Sequence, residues 1–252
     1  MRRGLNSQRS HRTVPEPTIY SIFQIMRIVK LMNHSPLSEE IQSALKEALS
    51  TVRLQPYLRV ANGQIDQAIT IYQLNVQLCG AIYPSIHIFE ITFRNKMNQV
   101  LTNRYGGDWY LNPDVIIGSY ESESIDKVRN ELRRLKKPLV MNKIVPRLTL
   151  GFWSSLLIKK EYKQIIFDQC IQEFFPYAQP RERNFATIAP SFRDKILRLR
   201  NRVFHHEPIW SIDYNVEEKY QYLCRVLRWM SPEVHEWLKT YDNFPEQYRF
   251  FQ

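Results

Sequence analysis

The chain has 252 residues, and its 35 Lys and Arg against 25 Asp and Glu leave a formal net charge of +10. A polyanion such as nucleic acid is therefore the natural partner, with a merely basic soluble protein as the plain alternative. Only seven glycines, about half the usual share of roughly 7%, argue against a turn-rich sheet protein. Cys79, Cys170 and Cys224 are odd in number, widely spaced and without a C-x-x-C pair. That excludes a disulfide framework and a structural zinc site, and they read as buried thiols in a reducing cytoplasm.

Met1–Pro17 is basic, polar and proline-bearing, and reads as disordered. Ile19–Met32 is apolar, but Arg27 and Lys30 interrupt it. It is too short to span a bilayer and lacks a small-residue cleavage site, so no membrane partner is expected. Met32 stands just before the first clean helix start, with Ser35 as N-cap and Pro36 at the first position. Residues 1–31 then form either a dispensable extension, or an upstream misreading of the start, or a basic arm that contacts RNA. Residues 32–252 form a single helical domain.

Pro36–Leu49 places Leu37, Ile41, Leu45 and Leu49 at four-residue spacing. A shorter helix, Leu54–Val60, ends near the turn pair Asn62-Gly63. Ile65–Tyr83 carries Ala68, Ile71, Tyr72, Val76, Cys79 and Ala81 mostly along one arc, and Pro84 begins a long helix to about Arg104. In that helix Ile86, Phe89, Phe93, Met97, Val100 and Leu101 form an apolar stripe, and Glu90 falls within it. Asn112–Ser119 reads as a loop. Ser122–Lys137 is a charged helix, and the basic residues between Lys127 and Arg147 include Arg129, Arg133, Arg134, Lys136 and Lys137 against the single acid Glu131. They would grip RNA phosphates, or form a solvated face. Arg147–Lys159, Glu161–Phe174, Phe192–His206, Val216–Trp229 and Pro232–Thr240 are further helical patterns. Nothing alternates like a strand, so the fold class is all-α, one helical bundle with elaborations.

The chemistry gathers at the end of the Phe192–His206 helix. Its apolar arc takes Phe192, Ile196, Leu199, Val203 and Phe204, while Asn201 and His205 lie opposite with Asp194 and Arg198. Arg200 falls inside the apolar arc, where an unpaired charge is costly. Two opposite charges, each on the buried face of its own helix, predict a Glu90–Arg200 pair; the alternative pairs Glu90 with Arg94. His206 points about 100° away from His205 and is read as hydrogen-bonding Glu207 or a carbonyl. Phe152-Trp153 and Trp109-Tyr110 would stack RNA bases, or fill the core. There is no Gly-rich phosphate loop, no H-E-x-x-H and no nucleophile elbow. His205, His206 and Glu207 diverge from one helix and cannot chelate a metal together.

Arg200-Asn201 with His205, followed by His206-Glu207-Pro208-Ile209, resembles the signature of the HEPN superfamily in the form found in its Abi-like (abortive infection) family. Leu54–Gly63, Ile71–Asn75, His87–Tyr110 and Leu148–Leu157 resemble further blocks of that family, in order, from about Leu37 to about Arg228. The resemblance implies a HEPN-like helical bundle with additional helices. It also implies a metal-independent endoribonuclease without a cofactor, a homodimer whose two motifs meet in one cleft. His205 would act as base on a ribose 2′-hydroxyl or as acid to the leaving 5′-oxygen, and histidine as a residue type titrates near neutral pH. Arg200 would stabilise charge on the phosphoryl oxygens, Asn201 would orient the imidazole or the phosphate, and Glu90 and His206 would support them. The product would be a 2′,3′-cyclic phosphate. The implied role is antiviral, with an antitoxin or a phage-derived trigger as further partner. The alternative is a non-catalytic RNA-binding or dimerisation module.

Overall fold

The computed structural model of the protein describes residues 37–211 and 214–249. The readings of residues 1–31, and of Ser35 and Pro36 as a helix start, lie outside these. Among the described residues every regular element is helical, as the scarcity of glycine and the helical periodicity predict. The chain divides into two compact units, Met1–Ile71 with Ser211–Tyr214, and Tyr72–Trp210 with Asn215–Gln252.

In the first unit, helix α1 (Glu39–Leu49) starts where the Ser38 hydroxyl accepts from the Ile41 N–H, three residues later than the sequence predicts. Glu39 and Glu40 favour that end through the helix dipole. None of α1 is fully buried, and Ile41 of its stripe is exposed. Helix α2 (Thr51–Val60) is capped by Ser50 and buries Leu54, Tyr57 and Val60. It ends at Asn62-Gly63, both in left-handed backbone, which this pair adopts at least cost.

Helix α3 (Ile65–Tyr105) is one element of 41 residues with Pro84 inside it. This corrects the expectation of a break at Pro84. A proline ring presses on the carbonyl four residues earlier, here that of exposed Gly80, and the helix continues past it. The stripe passes the proline without interruption, with Ile71, Leu74, Asn75, Leu78 and Ile82 buried before it and Ser85, Ile86, Phe89 and Phe93 after it. Val76, placed on the arc from sequence, is exposed instead.

The core of the second unit forms around α3. Phe89 and Phe93 stack 5.6 Å apart, and both meet Phe192, at 5.9 and 5.0 Å. Burial of rings of this size contributes about 1.5–3 kcal/mol each. After a 3-10 turn (Trp109–Leu111), α4 (Ser119–Arg134) leads through the short α5 (Met141–Ile144) to α6 (Leu150–Ile158). A 3-10 turn (Lys160–Tyr162) and a π turn (Lys163–Phe167) run into α7 (Asp168–Phe174). Next comes a helical run in three pieces, α8 (Phe185–Phe192), a π turn (Arg193–Leu197) and α9 (Arg198–Phe204). It begins seven residues before the start read from sequence. Helices α10 (Val216–Met230), α11 (Pro232–Lys239) and α12 (Phe244–Arg249) close the described chain, the last unforeseen. Asp242 accepts from Ser85 at 2.7 Å and from Tyr220 at 2.8 Å, tying α3 to α10 and to the chain end.

Candidate functional site

Residues 200–209 run from α9 into the turn beyond it, and each group is placed by a local cause. The helix closes at Phe204. The His206 N–H donates to the Val203 carbonyl at 3.2 Å and the Glu207 N–H to the Arg202 carbonyl at 2.8 Å, with His206 at φ 58°. This is the Schellman arrangement, and it requires a left-handed residue at the position His206 holds. His206 is therefore not on the helix, which corrects the reading that placed it one helical step from His205.

Arg202, buried, spans that turn. Its Nη1 donates to the Pro208 carbonyl at 3.0 Å and its Nε lies 3.5 Å from the Glu207 carboxylate. The next N–H, of Ile209, donates at 2.8 Å to Oδ1 of buried Asn75 on α3. Both ends of the His-His-Glu-Pro-Ile stretch are thus fixed. Sequence reasoning assigned Arg202 and Asn75 no role. The signal for Arg202 was its place one turn after Leu199 and beside Val203, inside the apolar arc of α9 itself.

Arg200 leaves α9 on its flank. Its Nε donates to Glu90 Oε1 at 2.8 Å, and its guanidinium carbon lies 4.3 Å from the centre of the Phe204 ring. The pair that the two stripes predict therefore forms, while Arg94 Nε donates to Asn95 instead. The side chains of Arg200 and Glu90 are 28% and 25% exposed, so screening keeps the contribution to stability small. What the pair does is fix one edge of the guanidinium. Among the described residues Nη1 and Nη2 donate to nothing.

Asn201 and His205 are exposed, one turn apart, and the His205 N–H donates to the Asn201 carbonyl at 2.9 Å. Phe204, assigned to the apolar arc from sequence, is exposed as well. Its ring lies 5.7 Å from that of Tyr83, which stacks 5.9 Å from His87. Tyr83, His87 and Glu90, spaced at helical intervals on α3, thus flank the end of α9. Asp194 and Arg198, the remaining members of the polar face, pair at 3.2 Å. Burial acts to raise the Asp194 pKa, but the hydrogen bonds and charges of Lys219 and Arg198 outweigh it and hold the carboxyl low.

The other aromatics singled out from sequence are interior. Trp109, Tyr110, Phe152 and Trp153 are buried, and the Trp109 and Trp153 rings lie 5.7 Å apart. Trp109 donates to Asn98 and Trp153 to the Leu148 carbonyl. They cannot stack bases. The basic segment is only partly engaged: Arg129 pairs with Asp126 at 3.3 Å, Arg147 with Glu131 at 3.5 Å, and Arg133 donates to Asn130 at 2.7 Å. Helix α4 stops at Arg134 rather than Lys137. Lys136 takes left-handed backbone in the turn, and Arg134, Lys136 and Lys137 are exposed with no ion pair among the described residues.

No three His, Cys, Asp or Glu side chains among the described residues come together so as to hold a metal ion. The three cysteines are free thiols. Burial pushes Cys170 up to about 11 and Cys79 and Cys224 up to about 12, which keeps them protonated and poor nucleophiles. No helix among the described residues is long and apolar enough to cross a membrane.

Fold and site together define an all-α protein that presents an Arg-Asn-x-x-x-His segment at an exposed helix end. Residues 45–211 match the family model described as Abi-like protein, and the chain belongs to that family, which is named for abortive infection. The matched stretch contains all of α3 and the whole of residues 200–209. No curated protein and no solved structure gives a significant match.

Proposed function

We propose that the protein is a metal-independent endoribonuclease of the HEPN type, acting in the cytoplasm as an abortive-infection effector and working as a homodimer. The observation that carries this reading is Arg200, held by Glu90 through Nε alone, on the same helix end as exposed Asn201 and His205. A guanidinium fixed at one edge presents its two terminal NH2 groups to a phosphate in the planar, two-pronged geometry that phosphate oxygens accept.

In the reaction, His205 takes the proton of a ribose 2′-hydroxyl while its oxygen attacks the adjacent phosphorus. The bond to the 5′-oxygen breaks, and that oxygen takes up a proton from the imidazolium, here the second protomer's His205. The products are a 2′,3′-cyclic phosphate and a free 5′-hydroxyl. Arg200 stabilises the charge that builds on the phosphoryl oxygens, and Asn201 orients the phosphate. Because the nucleophile belongs to the substrate, the scheme needs no metal. Arg133, Arg134, Lys136 and Lys137 hold the RNA backbone at a distance from the chemistry.

The test is incubation of the purified protein with RNA in EDTA. Fragments ending in cyclic phosphate are expected from the wild type. His205→Ala should lower the rate by at least ~100-fold, the usual worth of one acid–base group. Identical products from both proteins, or none from either, would leave the helix end as a binding or dimerisation surface instead.

A further inference from the structure

We infer that Tyr83, His87 and Phe204 form a stacking shelf for a base of single-stranded RNA, next to the phosphate that Arg200 holds. The inference rests on the proposed RNA-cleaving reading and adds the subsite that selects unpaired substrate.

Three observations support it. Tyr83 and Phe204 are 46% and 38% exposed, unlike the buried tryptophans, and His87 is exposed too. The rings form a series: His87 lies nearly parallel to Tyr83 at 25°, and Tyr83 is tilted 41° to Phe204. Finally, the Arg200 guanidinium covers Phe204, so one group connects the shelf to the phosphate position. Aromatic faces beside a cation are what a nucleotide requires, its base on the rings and its phosphate on the guanidinium.

The surroundings favour a base over a protein partner. Arg200 covers one of the rings and is paired with Glu90, whereas the centre of a protein interface is depleted of charge. A base inside a duplex has both faces covered by its neighbours, so the shelf accepts only unpaired segments.

The experiment measures binding rather than cleavage. Full-length His205→Ala protein is titrated with a short single-stranded RNA of mixed sequence, and with the same backbone carrying abasic sites. Adding Tyr83→Ala should weaken binding of the base-bearing RNA roughly tenfold and leave the abasic backbone unaffected, while Tyr83→Phe should bind like tyrosine. Equal loss for both RNAs, or no loss for either, would overturn the shelf. A change in sedimentation on Tyr83→Ala without base-dependent loss would also overturn it, identifying the patch as a contact between copies of the chain. Tyr83 is half in solvent, so its variants should fold, which circular dichroism would check. The two readings fail separately: missing cleavage with intact base-dependent binding sinks the nuclease alone, and the converse sinks the shelf alone.

Discussion

Glu121, at the first turn of α4, has a side chain with no exposed surface. Lys159 lies 2.8 Å from Oε1, and Tyr162 donates to Oε2 at 3.1 Å while accepting from the Gly118 N–H at 2.9 Å. A Cβ at Gly118 would stand 2.0 Å from Oε2, so this glycine is there for space. Burial acts to raise the Glu121 pKa, but the bonds from Lys159 and Ser155 and the ammonium charge outweigh it, and the net shift is downward. A carboxyl with a lowered folded pKa contributes stability that is complete above its unfolded value, near 4.3, and is lost as pH falls through the folded value. Lys159 is raised in turn, burial notwithstanding, by Glu121, so its share persists up to alkaline pH. We expect the melting temperature to fall on acidification from about pH 4.3, with Glu121→Gln removing part of the slope. An unchanged slope in melts of the two proteins between these conditions would refute the assignment. At the same scale, the Glu90–Arg200 pair was legible in the sequence because both charges fell on apolar stripes, where only a partner makes burial tolerable. Tyr83, His87 and Phe204 were not, since an aromatic side chain suits core and surface alike.

Among the elements, the end of α9 is where the reading of the apolar arc went wrong. A uniform helical wheel drawn from Phe192 runs through the π turn Arg193–Leu197 and already sets Phe204 about 120° from Phe192, outside the arc of Ile196, Leu199 and Val203. Drawn on α9 alone from Leu199, the wheel puts Val203 and Arg202 near the buried line and Phe204 roughly 140° from it, as observed. The stripe of α3 was readable on both sides of Pro84, but the unbroken helix was not, because proline inside a helical pattern reads as a stop signal. The end of α9 carries its own prediction. Histidine at φ 58° bears a steric cost that glycine avoids. His206→Gly should therefore stabilise the full chain by about 0.5–1 kcal/mol in urea titration, with α9 still ending after Phe204. A drop in stability would show that the His206 side chain secures the turn.

For the molecule as a whole, the +10 charge makes the proposed RNA binding salt-dependent. Each phosphate neutralised on a single strand contributes about 0.7 to the slope of log affinity against log salt. Replacing Arg133, Arg134, Lys136 and Lys137 together by Gln should lower that slope by roughly 3 if all four meet phosphates. A slope that does not move would return them to the role of a solvated helix end. Composition foretold the helical class and the sign of the charge, but it contained nothing about which cations would be taken up by neighbouring acids such as Asp126 and Glu131.

The site's fastenings also impose an order of events during synthesis. Arg200 meets its carboxylate across 110 residues and Ile209 its amide across 134, and separations of that kind close late because the intervening chain must first be gathered in. A ribosome still short of residue 209 holds a polypeptide whose His-His-Glu-Pro segment lacks its tie to Asn75, and one short of residue 200 lacks the Glu90–Arg200 pair as well. Under the proposed function, the chain would thereby stay harmless to the machine translating it until nearly all of it had emerged.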